Sequence, residues 1–319
     1  MSYLDISNLY KDQSILMFKR AFALEKIHGT SAHISFKRTR QMVFGALVVD
    51  GKVVENKMTE AEWQKVWPDE IKVNFFSGGE KHENFIKLFN EQSLSDKFRE
   101  MGVPEMVIFG EAYGGKCQGM SKSYGKDLKF IAFEVKIEHN WLAVPQAEQI
   151  CNQFGLEFVH YEEVATDLVI LNTLSEADSV QAVRNGMGPG HIREGVVLRP
   201  LIELRKNNGE RIIAKHKNDK FQETTKKREV SKERLEVLTE ANAIADDWVT
   251  EMRLSHVLQG FQELVDVTKT GDVIQAMIAD ILKESEGEIV DSKEARTAIS
   301  KRTAMLFKQR LKNSIFPAI

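Results

Sequence analysis

The chain has 319 residues, 42% of them hydrophobic and 29% charged, with a formal net charge of −3. That supports a real core in one or two domains, and it excludes global basicity as a route to nucleic acid, so any basic surface must be local. Two cysteines, Cys117 and Cys151, exclude a disulfide framework or a cysteine metal set, and no eighteen-residue apolar run or basic-then-apolar leader occurs, so a soluble cytoplasmic protein without a membrane partner is expected.

The first two thirds mix short β-rich runs with helices. Phe22–Ile27 and His33–Phe36 read as strands. Val43–Val49 and Lys52–Glu55 read as a hairpin about Asp50-Gly51, residues that tolerate the positive φ of a tight turn. Thr59 to Glu62 resembles a capping box, opening a short helix that Pro68 stops. Strands follow at Ile71–Phe76, Met106–Glu111, Leu128–Ile137, Gly195–Arg199 and Arg211–Lys217, with helices near 83–100 and 145–154. Such irregular interleaving predicts an α+β domain with antiparallel sheets and flanking helices.

Beyond residue 220 the pattern changes. Gln222–Arg234, with Lys226, Lys227 and Arg228, reads as a charged linker. Leu235, Leu238, Ala241, Ala245, Trp248 and Met252 then recur three or four apart, as do Val273, Met277 and Ile281. A third helix is expected from Asp291, with Glu294 completing its cap. The spacing places a boundary near 229, giving domains 1–229 and 230–319, the second small and all-helical.

The strongest local signal is Glu25-Lys26-Ile27-His28-Gly29-Thr30, between two strand-like runs. A lysine at a strand end can be held against a bound nucleotide, and glycine three residues later lets backbone pass close by. A free lysine, with a pKa near ~10.4, is a poor nucleophile until neutralised by nearby cations or desolvation. Lys215 and Lys217 alternate with Ala214 and His216, so on a strand they share one face and could supply that environment. Alone, a KxxG match reads as an ordinary surface turn. By pattern alone Phe133 reads as core, Glu111 and Glu194 as solvated strand ends, His28 as a turn donor and Cys117 as an idle thiol. What distinguishes the lysine motif is the ordered company of Val107–Glu111, Phe130–Glu134, Arg193–Leu198 and Ile213–Lys217.

With those residues in order, the chain resembles the covalent nucleotidyltransferase superfamily of ligases and capping enzymes, and within it the phage RNA ligase 2 family, which includes the RNA-editing ligases. The motifs span about 22–221, and Lys215-His-Lys217-Asn-Asp-Lys220-Phe221 is especially close to the family's last motif. The resemblance implies an adenylyltransferase domain over 1–229 and an ATP-dependent ligase using Mg²⁺, with Mn²⁺ as a substitute. It would join a 3′-OH to a 5′-phosphate of RNA in a nicked duplex, as in RNA repair, and a viral source would suit it. Lys26 would carry AMP. Main-chain groups of Glu25 and Ile27 would read adenine, Phe133 would stack on it, and Glu111 would take the ribose hydroxyls. Glu194 would hold the metal and steer Lys26, while His28, Lys215 and Lys217 would act on phosphate.

Ser31 stands where that family places asparagine and Ser77 where it places arginine, after an inserted stretch near 41–70; Arg38, Arg40 and Lys81 are the nearby candidates for the missing charge. A ligase of DNA or mixed nicks, and a binding relative without chemistry, are the alternatives. Capping enzymes and DNA ligases follow the last motif with a β-barrel, against which the helical tail argues. No protein partner is evident.

Overall fold

A computed structural model describes residues 3–43, 46–50, 52–54, 59, 70–206, 208–221, 232–261, 266–286 and 288–315. The chain divides into two compact units. One is Met1–Asn8 with Arg20–Lys227, and the other is Leu9–Lys19 with Arg228–Ile319. The expected boundary near 229 is thus joined by an N-terminal crossing for which the sequence carries no composition change. The linker basic residues Lys226, Lys227 and Arg228, and the capping box after Thr59 with Pro68, lie outside the described residues.

The first unit is α+β, and every ladder between its strands is antiparallel. Strands β1 (Arg20–Lys26), β2 (Thr30–Arg38), β3 (Arg40–Val43), β4 (Ala46–Val49), β5 (Lys52–Val54), β6 (Ile71–Ser77), β7 (Glu105–Gly114), β8 (Leu128–Ile137), β9 (Asn140–Trp141), β10 (Tyr161–Ala165), β11 (Gly195–Pro200) and β12 (Ala214–Lys217) form three sheets. Their orders are β10-β1-β11-β12, β6-β2-β7-β8-β9 and β3-β4-β5. The expected hairpin about Asp50 is β4–β5, with Val49 opposite Lys52 and Asp50 at φ 47°.

Two-residue alternation explains the larger sheet. On β2, Ala32, Ile34 and Phe36 are buried, and on β6 the odd residues Ile71, Val73 and Phe75 are more buried than Lys72, Asn74 and Phe76. Their inner side chains join Leu94 and Phe98, Val144 to Phe154, and β1 residues Phe22 and Leu24 in one apolar cluster. The expected helix over 83–100 is instead two helices, His82–Ile86 and Glu91–Met101, because Asn90 caps the second by accepting from Ser93 N at 3.0 Å. The expected strand 211–217 joins β11 only from Ala214, because Arg211 bridges Arg205 and Ile212 N donates to Leu204 O at 3.2 Å; the Arg211 guanidinium enters a buried carboxylate network.

That network matters to the position of Phe133. Glu134 is fully buried and takes Arg211 Nη1 at 2.9 Å, Arg199 Nη1 at 2.9 Å and the Tyr3 hydroxyl at 2.6 Å. The β7–β8 register shifts here: Phe109 faces Glu134 and Gly110 faces Ala132, leaving Phe133 as an extra, bulged residue. A bulge re-aims the side chain it carries.

The second unit is helical: Lys232–Trp248, Glu251–Gln259, Thr270–Glu284 and Lys293–Ile315. Ala241, Ala245, Val273, Met277, Ile281, Ile299 and Phe307 build its core. The first expected stripe overran. Thr250 accepts from Arg253 N at 3.2 Å and starts a new helix, so Met252 is 83% exposed. The last helix is capped by Ser292, which accepts from Ala295 N at 3.0 Å; Asp291 and Glu294 pair with Arg296 and Arg234 instead. The N-terminal segment is held by Lys301 Nζ on Ser14 O at 3.1 Å, Asn242 Nδ2 on Leu16 O at 3.2 Å and a Lys19–Asp246 ion pair.

Candidate functional site

Lys26 ends β1, in register with Gly195 of β11, which itself faces Lys217 of β12. Three neighbouring strands therefore deliver Lys26, Glu194 and Lys217 to one sheet end. The chain then turns through His28 and Gly29 into β2, whose Ser31 faces Glu111 of β7. The turn tolerates no side chain at Gly29: a Cβ there would collide with the Ala112 carbonyl and sit 2.8 Å from Glu111 Cγ. Gly195, at φ 149°, is as constrained, because a Cβ would lie 2.7 Å from Lys217 Cα.

Glu194 is the hub. Its Oε2 lies 2.9 Å from Lys26 Nζ and 3.1 Å from His28 Nδ1, and its Oε1 lies 3.2 Å from Lys217 Nζ. An ionised carboxylate only accepts, so His28 Nδ1 is the donor. Burial by itself would raise the Glu194 carboxyl. The His28 hydrogen bond and the Lys26 and Lys217 charges outweigh burial and hold it down at about 2. Glu194 is buried, not a solvated strand end. Glu111 behaves oppositely. Burial raises its carboxyl to about 7, with the Glu194 charge adding, despite Lys26 and the N–H of Gly29. Two carboxylates near one lysine are thus driven apart in acidity by their surroundings.

Two cavities meet at Lys26. The first, about 230 Å³, is lined by Glu25, Lys26, Ile27, Glu111, Phe133 and Lys215, with Ser31, Tyr3 and Asp5 at its wall. The second, more polar, is lined by Lys26, His28, Glu111, Glu194 and Lys217, with Gln118, Lys220 and Phe221. Each residue to which the resemblance gives a part in handling ATP lies in one or both. Phe133 lines the first cavity and meets the edge of Tyr3, centroids 5.0 Å apart at 75°. Glu25 N–H donates to His160 O at 2.8 Å, so its carbonyl, not its N–H, is the group with which it could meet a ligand.

The expectation that Lys215 and Lys217 crowd Lys26 with positive charge meets a different arrangement. Lys217 is paired to Glu194, and Lys215 Nζ lies 3.2 Å from Asp5 Oδ1. Tyr3, Asp5 and Gln118 escaped the sequence reading. The first two sit far upstream, and Gln118 occupies an irregular turn with φ 50° that has no periodic signal. Of the candidates for the missing arginine, Arg38 donates to Arg99 O at 2.9 Å and packs over Phe98, a structural role; the Arg40 side chain lies outside the described residues. Ser77 Oγ accepts from Glu80 N at 3.3 Å. Cys117 and Cys151 are free and buried, and burial pushes both thiols up.

The profile of the RNA ligase family matches residues 19–217, well over half of the chain and spanning all of these strands. The chain belongs to the RNA ligase family. The match begins just before β1 and ends on Lys217, which lines the second cavity. Among solved structures, the chain is similar to the Naegleria gruberi RNA ligase with pyrophosphate, at 12% identity and a TM-score of 0.44, covering 69% of this chain and 57% of that one. Variants of the same protein, one with AMP and Mn and one with ATP and Mn, match at 11% and 12% identity, TM-score 0.44, over the same shares of each chain. The chain thus spans just over half the length of those structures. A comparison with curated proteins finds no match. Among the described residues, no helix is long and apolar enough to cross a membrane.

Proposed function

We propose that this member of the RNA ligase family is an ATP-dependent ligase that joins a 3′-OH to a 5′-phosphate through AMP carried on Lys26. The observation that carries the reading is Lys26 at the junction of two cavities, its amine 2.9 Å from buried Glu194. The first cavity suits adenosine. Phe133 offers an aromatic face, the Glu25 carbonyl and Ile27 N–H suit the donor and acceptor of the adenine edge, and Glu111 suits ribose hydroxyls. The second suits phosphate, with Lys217, Lys220 and His28 about it, and Lys215 reaches phosphate from the first.

In the first step Lys26 gives its ammonium proton to solvent and attacks the α-phosphorus as the neutral amine; the N–P bond forms, the bond to the pyrophosphate oxygen breaks, and a second amine proton leaves with pyrophosphate. Lys215 and Lys217 stabilise the charge that builds on the departing oxygens. A 5′-phosphate oxygen then attacks the phosphorus of AMP and lysine leaves as its nitrogen takes up a proton; a 3′-hydroxyl finally attacks the 5′-phosphorus, loses its proton to solvent and displaces AMP. Glu194 suits a divalent ion because it stays ionised, with its carboxyl at about 2. No cluster of three or more metal-ligating side chains occurs among the described residues. Mg²⁺, or Mn²⁺ in its place, would be held by Glu194 with phosphate oxygens and water, and would offset phosphate charge.

The test is incubation with ATP labelled at the α-phosphate, then denaturing electrophoresis. Wild type should carry the label, and GTP should not replace ATP. Lys26→Ala and Lys26→Arg should carry none, since a guanidinium stays protonated. Undiminished labelling of folded Lys26→Ala would sink the assignment. A panel of nicked RNA, nicked DNA, mixed duplexes and single strands then separates RNA sealing from the alternatives.

A further inference from the structure

Two sets of buried hydrogen bonds hold the chain on the two flanks of Lys26. Glu25, immediately before the lysine, is 3% exposed, and its carboxylate accepts from Ser179 Oγ at 2.5 Å, Val180 N at 3.0 Å and Gln181 N at 3.3 Å. Ser179 Oγ in turn accepts from Ala182 N at 3.0 Å. On the other flank the Tyr124 hydroxyl accepts the main-chain N–H of His28, at 3.4 Å. Ser179 and Tyr124 are each 1% exposed and line neither cavity, so neither can touch a ligand there.

A carboxylate only accepts, so the Ser179 hydroxyl donates to Glu25. Tyr124 is itself braced, edge-on against Tyr113 at 5.3 Å and 89°, and Tyr113 receives Gln181 Nε2 at 2.9 Å.

We infer that Tyr124, Ser179 and the Glu25 carboxylate form a clasp that holds the backbone on both sides of Lys26 and thereby aims its amine at the α-phosphorus. These are positioning residues that act through Lys26, and the inference rests on Lys26 being the AMP acceptor. A lysine stem has four flexible bonds, so a short tether on residues 25 and 28 is what can limit where the amine points. Small misplacements of a reacting group cost about two orders of magnitude in rate.

The clasp is tested by rapid-quench measurement of self-adenylylation against ATP concentration, on full-length wild type, Tyr124→Phe, Ser179→Ala and the double variant. Each single variant should lower the saturating rate about tenfold to a hundredfold, with half-saturating ATP within about twofold of wild type. The double variant should be slower than either single, because the two cut separate anchors of the lysine. Ser179→Thr, which keeps the hydroxyl, should recover rate. If Ser179→Ala does not fold, Tyr124→Phe paired with Glu25→Gln carries the same comparison. Unchanged saturating rates, or a double variant no slower than the slower single, would overturn the clasp. A wild type that takes no label on Lys26 would instead remove the acceptor reading itself, an outcome distinct from a labelled wild type with indifferent variants.

Discussion

Lys26 Nζ and Glu194 Oε2 stand 2.9 Å apart, with the glutamate side chain 4% exposed. The other Glu194 oxygen holds Lys217, so a single carboxylate cross-links the ends of β1 and β12. Glu194→Gln removes the charge and leaves two lysines facing one another. Self-adenylylation should fall at least about a hundredfold. Stability should also report the pair. The folded carboxyl sits at about 2 against an ordinary 4.5, so its contribution is present above about 4.5 and lost as pH falls toward 2. It amounts to about 3 kcal/mol at most. The difference in unfolding midpoint between wild type and Glu194→Gln should be level above pH ~5 and should close below pH ~4.5.

Glu111 has the opposite sign. Its folded carboxyl is raised to about 7, so it favours the fold below its unfolded value and this contribution is lost as pH rises from about 4.5 through 7. Glu111→Gln should therefore gain stability relative to wild type at pH ~8 and lose that advantage at pH ~5. If the carboxylate receives ribose hydroxyls, KM for ATP should fall between pH ~6 and ~8 in wild type and stay flat in the variant. Identical KM profiles for the two proteins would remove Glu111 from the nucleotide.

Phe133 is placed at the cavity by the β-bulge and braced by Tyr3. Phe133→Ala should raise KM for ATP about tenfold to a hundredfold, from the roughly 1–3 kcal/mol of base stacking. Phe133→Tyr or Phe133→Trp should retain part of the affinity. A lower unfolding temperature with an unchanged KM would assign the ring to packing instead.

Ending the chain at Lys227 should not release an intact catalytic unit. Leu9, Ile15, Leu16 and Phe18 are buried, and Leu9–Lys19 groups with the helices that such a truncation removes. The shortened chain should associate or precipitate in size-exclusion chromatography, and polar replacements at Ile15, Leu16 and Phe18 should restore a monomer. That repaired chain should still take AMP on Lys26. It should fail to transfer AMP to a nicked duplex if the helices serve the substrate. The tail's basic residues are poor guides to that role, because Arg302 pairs with Asp246, Arg310 donates to Ser255 and Lys301 holds Ser14.

The sequence by itself determined the charged residues that gather about Lys26 and the class of the fold. Lys26, Glu111, Glu194 and Lys217 were legible from the order of their charged strand motifs along the chain, although Glu111 lies inside β7, which runs on to Gly114. The α+β character and the helical tail were legible from periodicities of two and of three to four. Helix ends were less so: Asn90, Thr250 and Ser292 decide them through side-chain hydrogen bonds that compete with periodicity, and only coordinates show which cap is made. Tertiary structure alone decided the charge partners. Lys215 and Lys217 alternate on one strand, yet one pairs with Asp5 and the other with Glu194, residues 210 and 23 positions away. It also decided that Phe133 reaches the cavity, since a one-residue shift between β7 and β8 leaves no trace in hydrophobic pattern. The anchors of Glu25 on Ser179 and of His28 on Tyr124 are likewise invisible in sequence, because hydrogen bonds over 154 and 96 positions depend on which faces the fold brings together.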